Sequence, residues 1–206
     1  MGLVLAVLCL IAFLALAVPA AQPRLFAVDH LVRSLVDSVR HRALETPMAM
    51  ASMLGHDAGL VPLIALAAGV LWRADRRWAL ALPVVMAGTG VLQWAAKWAV
   101  ARPRPNDAPW GFPSGHALSL VVFFGLVAFL ICGSAWRPVW RRLGATLCGL
   151  TVLVVGFSRL YLGVHWFSDV IGGLLIGLAY LLVAISVLGR GGGAGSPVGP
   201  PEAARP

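Results

Sequence analysis

Residues 114–133 read SGHALSLVVFFGLVAFLICG, a Ser-Gly-His opening followed by 17 residues without a charge. At about 1.5 Å of rise per residue, a helix of this length crosses a hydrocarbon core about 30 Å thick. The same reading applies along the chain. Residues 1–18 carry no charge, and further apolar stretches run over Pro47–Trp72, Trp78–Ala99, Leu143–Phe157 and Asp169–Leu188. Six crossings predict an all-α, polytopic membrane helical bundle with both ends on one side. Small residues at Ala20 and Ala21 make a signal peptide the competing reading of residues 1–18, but no Lys or Arg precedes their apolar core.

Composition points the same way. Of 206 residues, 60% are hydrophobic and 12% charged, whereas a soluble domain carries about 25% charged residues. The net charge of +8 would suit a nucleic-acid binder, but no five- or six-residue stretch holds more than three basic residues. Nucleic acid is thereby excluded as a partner. Cys9, Cys132 and Cys148 lie in apolar runs without metal-ligand spacing and read as buried thiols. One membrane domain is expected over 1–189. Residues 190–206, rich in Gly and Pro, read as a disordered cytoplasmic tail.

Several local features refine the layout. Thr46 and Pro47 suit the cap and first turn of the second span. His56 and Asp57 inside that span lie either at headgroup level or on a polar cavity. Over Arg24–Leu44, Val28, Val32, Leu35 and Val39 share one helical face, while Asp29, Arg33, Asp37 and Arg40 carry charge. This predicts an interfacial helix between the first two spans, or one packed on the bundle, with no part in catalysis. Arginines concentrate at 73, 76 and 77 and at 137, 141 and 142, which positive-inside assigns to the cytoplasm. Trp72, Trp78, Trp136 and Trp140 bracket these loops as an interfacial belt would.

The polar residues then collect in two connections on the opposite, non-cytoplasmic face. The first runs from Lys97 through Arg104, Pro105 and Pro113-Ser114-Gly115-His116; the second is Ser158-Arg159, His165 and Asp169. Lys97, Arg104 and Arg159 form a cation set suited to a phosphate. Ser114 and Gly115 open a helix whose free N–H groups make an anion seat. His165 and Asp169, four apart, share a helical face, so the carboxylate fixes the imidazole tautomer and His165 becomes a nucleophile candidate. His116 is placed to protonate a departing oxygen. Each has a plainer alternative: snorkelling anchors for Lys97, Arg102 or Arg159, surface loop residues for the histidines, and a helix cap for Asp169.

Taken together, these 11 positions in three blocks are similar to the signature of the type 2 phosphatidic acid phosphatase superfamily. The resemblance spans residues 97–169 and gives a reason for Lys97, the only lysine in the chain. It implies a helical core shared with vanadium haloperoxidases, acting on membrane lipid phosphates such as phosphatidate, phosphatidylglycerol phosphate or polyprenyl diphosphate. It makes His165 the nucleophile that forms a phosphohistidine, Asp169 its orienting partner and His116 the general acid. Lys97, Arg104, Ser114, Gly115 and Arg159 would bind the substrate phosphate. No metal and no cofactor are implied, and the expected location is the plasma membrane. A phosphotransferase is the enzymatic alternative. An anion-binding transporter or scaffold is the non-catalytic one, and it gives no reason for a paired nucleophile and acid.

Overall fold

The computed structural model describes residues 1–22 and 26–189. The tail at 190–206 and the start of the interfacial segment at Arg24 lie outside them. Among the described residues eight helices follow in order: α1 Gly2–Ala20, α2 Ala27–Ser38, α3 Arg42–Met53, α4 Asp57–Ala74, α5 Arg76–Val100, α6 Gly115–Gly133, α7 Pro138–Tyr161 and α8 Phe167–Gly189. Six of them, α1 and α4–α8, are long and apolar enough to span a bilayer. The described chain is all-α, as the apolar runs require.

Packing centres on α6, which lies against both α7 and α8, while α1 runs along α8 and α4 along α5. Between lipid-solvated helices, close packing does the work that water exclusion does in soluble cores. Gly173 shows this: a Cβ there would stand 3.0 Å from the Ala117 Cβ and 3.2 Å from the Leu118 backbone nitrogen. The absence of that carbon brings the N-terminal ends of α6 and α8 together. Leu82, Leu120, Val122, Leu126 and Val155 fill one core cluster. Phe13, Phe112, Leu118 and Ile176 fill a second, in which the rings of Phe13 and Phe112 stack with centroids 5.6 Å apart. Through Phe13, Ala17 and Ala20, α1 is a packed member of the bundle.

The second predicted span, Pro47–Trp72, is broken in two. Thr46 and Pro47 stand inside α3, whose cap is instead His41, its Nδ1 accepting from the Ala43 N–H at 3.2 Å. The crossing begins at Asp57, a carboxylate in the first turn of α4 where the helix dipole favours it. Gly55 lies at the break, and a Cβ there would come 2.9 Å from the His116 Cγ. The α3–α4 turn therefore folds over the end of the bundle.

The amphipathic segment is also two helices, and its charge does not all face water. Val28, Leu31, Leu35 and Val39 point outward from the bundle, as an interfacial helix requires, but Asp29 is 1% exposed. Asp29 lies on the edge of α2 that Val36 also buries against the bundle, whereas Ser34, Asp37 and Ser38 on the polar side stay exposed. Other expectations shift in smaller ways. Trp78 is buried against Phe129 and is no belt residue, whereas Trp72, Trp136 and Trp140 are exposed. Cys132 is exposed, unlike Cys9 and Cys148. The fifth span extends to Pro138–Tyr161, so Arg141 and Arg142 lie in its first two turns. Pro138 suits the helix start, where its missing N–H leaves no bond unmade.

Candidate active site

Helix direction alone gathers the signature residues. The C-terminal ends of α5 and α7 and the N-terminal ends of α6 and α8 share one end of the bundle. Lys97 and Arg159 are helical residues in the last turns of α5 and α7. Gly163 then takes a φ of 67°, which costs an L side chain strain, and reverses the chain after α7. The five residues between Arg159 and His165 are this helix end and turn. They bring the nucleophile candidate back beside the cation.

A cavity of about 310 Å³ results, lined by His56, Gln93, Lys97, Arg104, Trp110, Gly115, His116, Arg159 and His165. Lys97 donates from Nζ to the Trp110 carbonyl at 2.7 Å. Arg159 is buried and donates from Nη1 to the Ser52 hydroxyl of α3. The Nε atoms of Arg104 and Arg159 and the Nε2 of His116 are buried without a protein partner. Three cations and an imidazole around one space of this size present donors in number to an oxyanion.

His165 is buried, and its Nδ1 lies 3.3 Å from Oδ2 of Asp169. That oxygen also accepts from the Trp166 backbone N–H at 2.9 Å. With Nδ1–H donating to the carboxylate, the ring lone pair is on Nε2. Burial lowers the His165 pKa to about 4, against the raising effect of Asp169, with Arg159 and Arg104 lowering it further. At neutral pH the imidazole is uncharged, the state a nucleophile needs.

Ser114 and Asp169 do not line the cavity; they sit behind it. The Ser114 N–H donates to the Asp169 backbone carbonyl at 2.8 Å, and its hydroxyl is buried without a protein partner. Gly115, at the start of α6, is at the cavity wall. His116 packs its ring against the edge of His56, with centroids 4.6 Å apart. His56 and Asp57 both line cavity.

Sequence reasoning missed several residues of this site. Arg102, Asp29 and Ser168 form a buried polar cluster against Asp169. Ser52 partners Arg159, and Gln93 stands at the wall one helical turn before Lys97. Only Gln93 carried a usable signal, its i,i+4 spacing to Lys97 within an apolar span.

A buried histidine held by a carboxylate, facing a cluster of cations inside a membrane bundle, defines a phosphate-handling membrane enzyme. Residues 78–191 match the PAP2 superfamily, and the chain belongs to that superfamily, as an integral-membrane phosphatase. It is 28% identical over 174 residues to phosphatidylglycerophosphatase B of Bacillus subtilis, covering 81% of this chain and 86% of the relative. It is 38% identical over 89 residues to an undecaprenyl-diphosphatase of Sulfolobus acidocaldarius, covering 42% of this chain and 38% of that one. Its fold matches the crystal structure of a transmembrane PAP2 type phosphatidylglycerolphosphate phosphatase from Bacillus subtilis with a TM-score of 0.81 at 24% identity, over 90% of this chain and 96% of the other.

Proposed function

We propose that this protein removes the phosphate, or the terminal phosphate of a diphosphate, from a membrane lipid by way of a phosphohistidine. In that reaction Nε2 of His165 attacks phosphorus, and the bond to the lipid oxygen breaks. His116 gives its proton to the departing oxygen. His116 then takes a proton from water, which attacks the phosphohistidine and returns His165 to its neutral state. Lys97, Arg104 and Arg159 balance the charge on the equatorial oxygens throughout, helped by the Gly115 backbone, while Asp169 stabilises the imidazolium form of His165. These fixed charges supply what a divalent ion supplies in other phosphoryl-transfer sites.

One observation carries the lipid part of the reading. The cation-lined cavity adjoins a second of about 480 Å³, and His56, Gln93, Gly115 and His116 line both. Leu60, Val61, Ile64, Pro83 and Met86 continue the wall of the second between α4 and α5. A headgroup among the cations and a chain along this apolar wall suit one amphiphile. The arginines at 73, 76, 77, 137, 141 and 142 lie at the other end of the bundle, so the reading sets the site on the non-cytoplasmic side of the plasma membrane with both termini inside.

Phosphate release by the purified protein tests this, against phosphatidate, phosphatidylglycerol phosphate and a polyprenyl diphosphate, with and without chelator. Chelator-resistant release that vanadate inhibits and His165→Ala abolishes is expected. Activity lost to chelator and restored by a divalent ion would refute the mechanism.

A further inference from the structure

Arg102 looks like one more basic residue at a membrane helix end, yet it is 2% exposed. Its Nη1 donates to Oδ1 of Asp169 at 2.9 Å and to the Ser168 hydroxyl at 2.7 Å. Its Nη2 donates to Oδ2 of Asp29 at 2.7 Å. Asp29 in turn accepts from the Ser168 N–H and hydroxyl, each at 2.8 Å. The guanidinium is roofed by the Phe26 ring, 5.4 Å from its centre. Two carboxylates and one guanidinium thus share a buried pocket behind His165, and Arg102 is not among the residues lining the cation-lined cavity.

Asp169 uses its two oxygens for different tasks. Oδ2 faces His165, and Oδ1 is held by Arg102. Like charges in a buried site cannot both stay ionised without a cation between them, and removing one partner of a buried pair leaves the other charge uncompensated. The charged and titratable groups around Asp169 are Asp29 from α2, Lys97 from α5, Arg102 and Arg104 from the α5–α6 loop, His116 from α6, Arg159 from α7 and His165 from the α7–α8 turn. Of the cations, Arg102 is the one hydrogen-bonded to it.

We infer that Arg102 is a positioning residue for the nucleophile: it balances the charge of the Asp169 carboxylate and fixes it in rotation, and Asp29 on the interfacial helix holds Arg102 in place. The inference rests on the phosphohistidine reading, because it acts through His165. It makes α2 part of the catalytic support and sets a charge-balance rule. Loss of the arginine alone is worse than loss of the arginine together with Asp29.

Steady-state phosphate release tests it in detergent micelles, using the lipid of the panel above that the full-length protein hydrolyses fastest. Arg102→Met should lower kcat about 100-fold and leave KM within about threefold, because the nucleophile is misplaced while the phosphate cations are intact. Asp29→Asn/Arg102→Met should recover about tenfold over Arg102→Met, since the Asp169 carboxylate then no longer shares its pocket with a second unpaired carboxylate. Arg102→Lys, which keeps the charge but loses the fork, should fall between wild type and Arg102→Met. A double variant no better than Arg102→Met, or a loss carried by KM, would overturn the inference. Should Arg102→Met fail to fold, the double variant and Arg102→Lys decide it, and a wild-type kcat in both would overturn it. His165→Ala runs alongside: if it keeps activity, the phosphohistidine reading itself fails, whereas its inactivity with an unaffected Arg102 series fails this inference alone.

Discussion

The backbone N–H of Ser114 donates to the carbonyl oxygen of Asp169 at 2.8 Å, joining the start of α6 to the first turn of α8. Two signature blocks, joined here through residues 55 positions apart in the chain, are therefore one mechanical unit. The distance from His116 to His165 depends on how closely α6 and α8 pack, and Gly173 sets that closeness.

Gly173→Val is accordingly expected to spread the two helices. Overpacking of this kind costs about 1–3 kcal/mol, and a displacement of 1 Å at a reacting group costs about 100-fold in rate. Thermal unfolding in detergent and kcat should both fall. Gly69→Ala is the contrast, because a Cβ on that face of α4 meets nothing within 4 Å. It should gain about 0.5–1 kcal/mol from helix propensity with unchanged turnover. Full activity in Gly173→Val would show that helix spacing does not set the site.

The low pKa of His165 gives a pH prediction with a definite sign. Its folded value of about 4 lies below the ordinary 6.5, so the native protein resists a proton that the unfolded chain accepts. Stability is full above pH 6.5 and declines as the pH falls towards 4, by on the order of 3 kcal/mol in total. The loss of unfolding temperature between pH 7 and pH 4 should be smaller in His165→Gln than in wild type. An identical loss in both would place the titrating group elsewhere.

The spans were legible because charge-free runs of this length have few other uses, and the signature because its spacing matches a helix end, a turn and a helix start. The Asp29–Arg102 pair was not legible. Its members are 73 residues apart, and the valine periodicity of α2 assigned Asp29 to a wet face. Asp29 instead sits at the boundary of the two faces, on the edge that Val36 buries, where a long-range partner the periodicity cannot show takes it up. The α3–α4 break was hidden for a related reason. Residues 47–72 are apolar enough to be read as one span, and Gly55 reveals its purpose only beside the His116 ring.

Sidedness has its own test. Asn106 lies in the α5–α6 loop at the site end, and Ala135 between α6 and α7 at the far end. Cys132 is exposed only three residues from Ala135, so single cysteines at 106 and 135 belong in a background with Cys132→Ser. An impermeant thiol reagent applied to intact cells should label position 106 and spare position 135. The reverse pattern would put the site in the cytoplasm and overturn the positive-inside assignment.

The last prediction separates the two histidines by leaving-group chemistry. Nε2 of His116 is buried without a protein partner at the cavity that His165 also lines, which suits a group that protonates a departing oxygen. General acids contribute on the order of 10² to 10⁴ in rate when the leaving group is a poor one. The alkoxide of a diacylglycerol is poor, whereas the lipid monophosphate expelled from a diphosphate is far better and needs less protonation in the transition state. His116→Ala should therefore harm hydrolysis of a monophosphate lipid much more than that of a diphosphate lipid with the same chain. His165→Ala removes the nucleophile and should abolish both. The informative quantity is the ratio of the His116→Ala losses on the two substrates, measured where chemistry limits turnover. A ratio near one would mean that His116 positions the phosphate, and the acid would then have to be sought in its ring neighbour, His56.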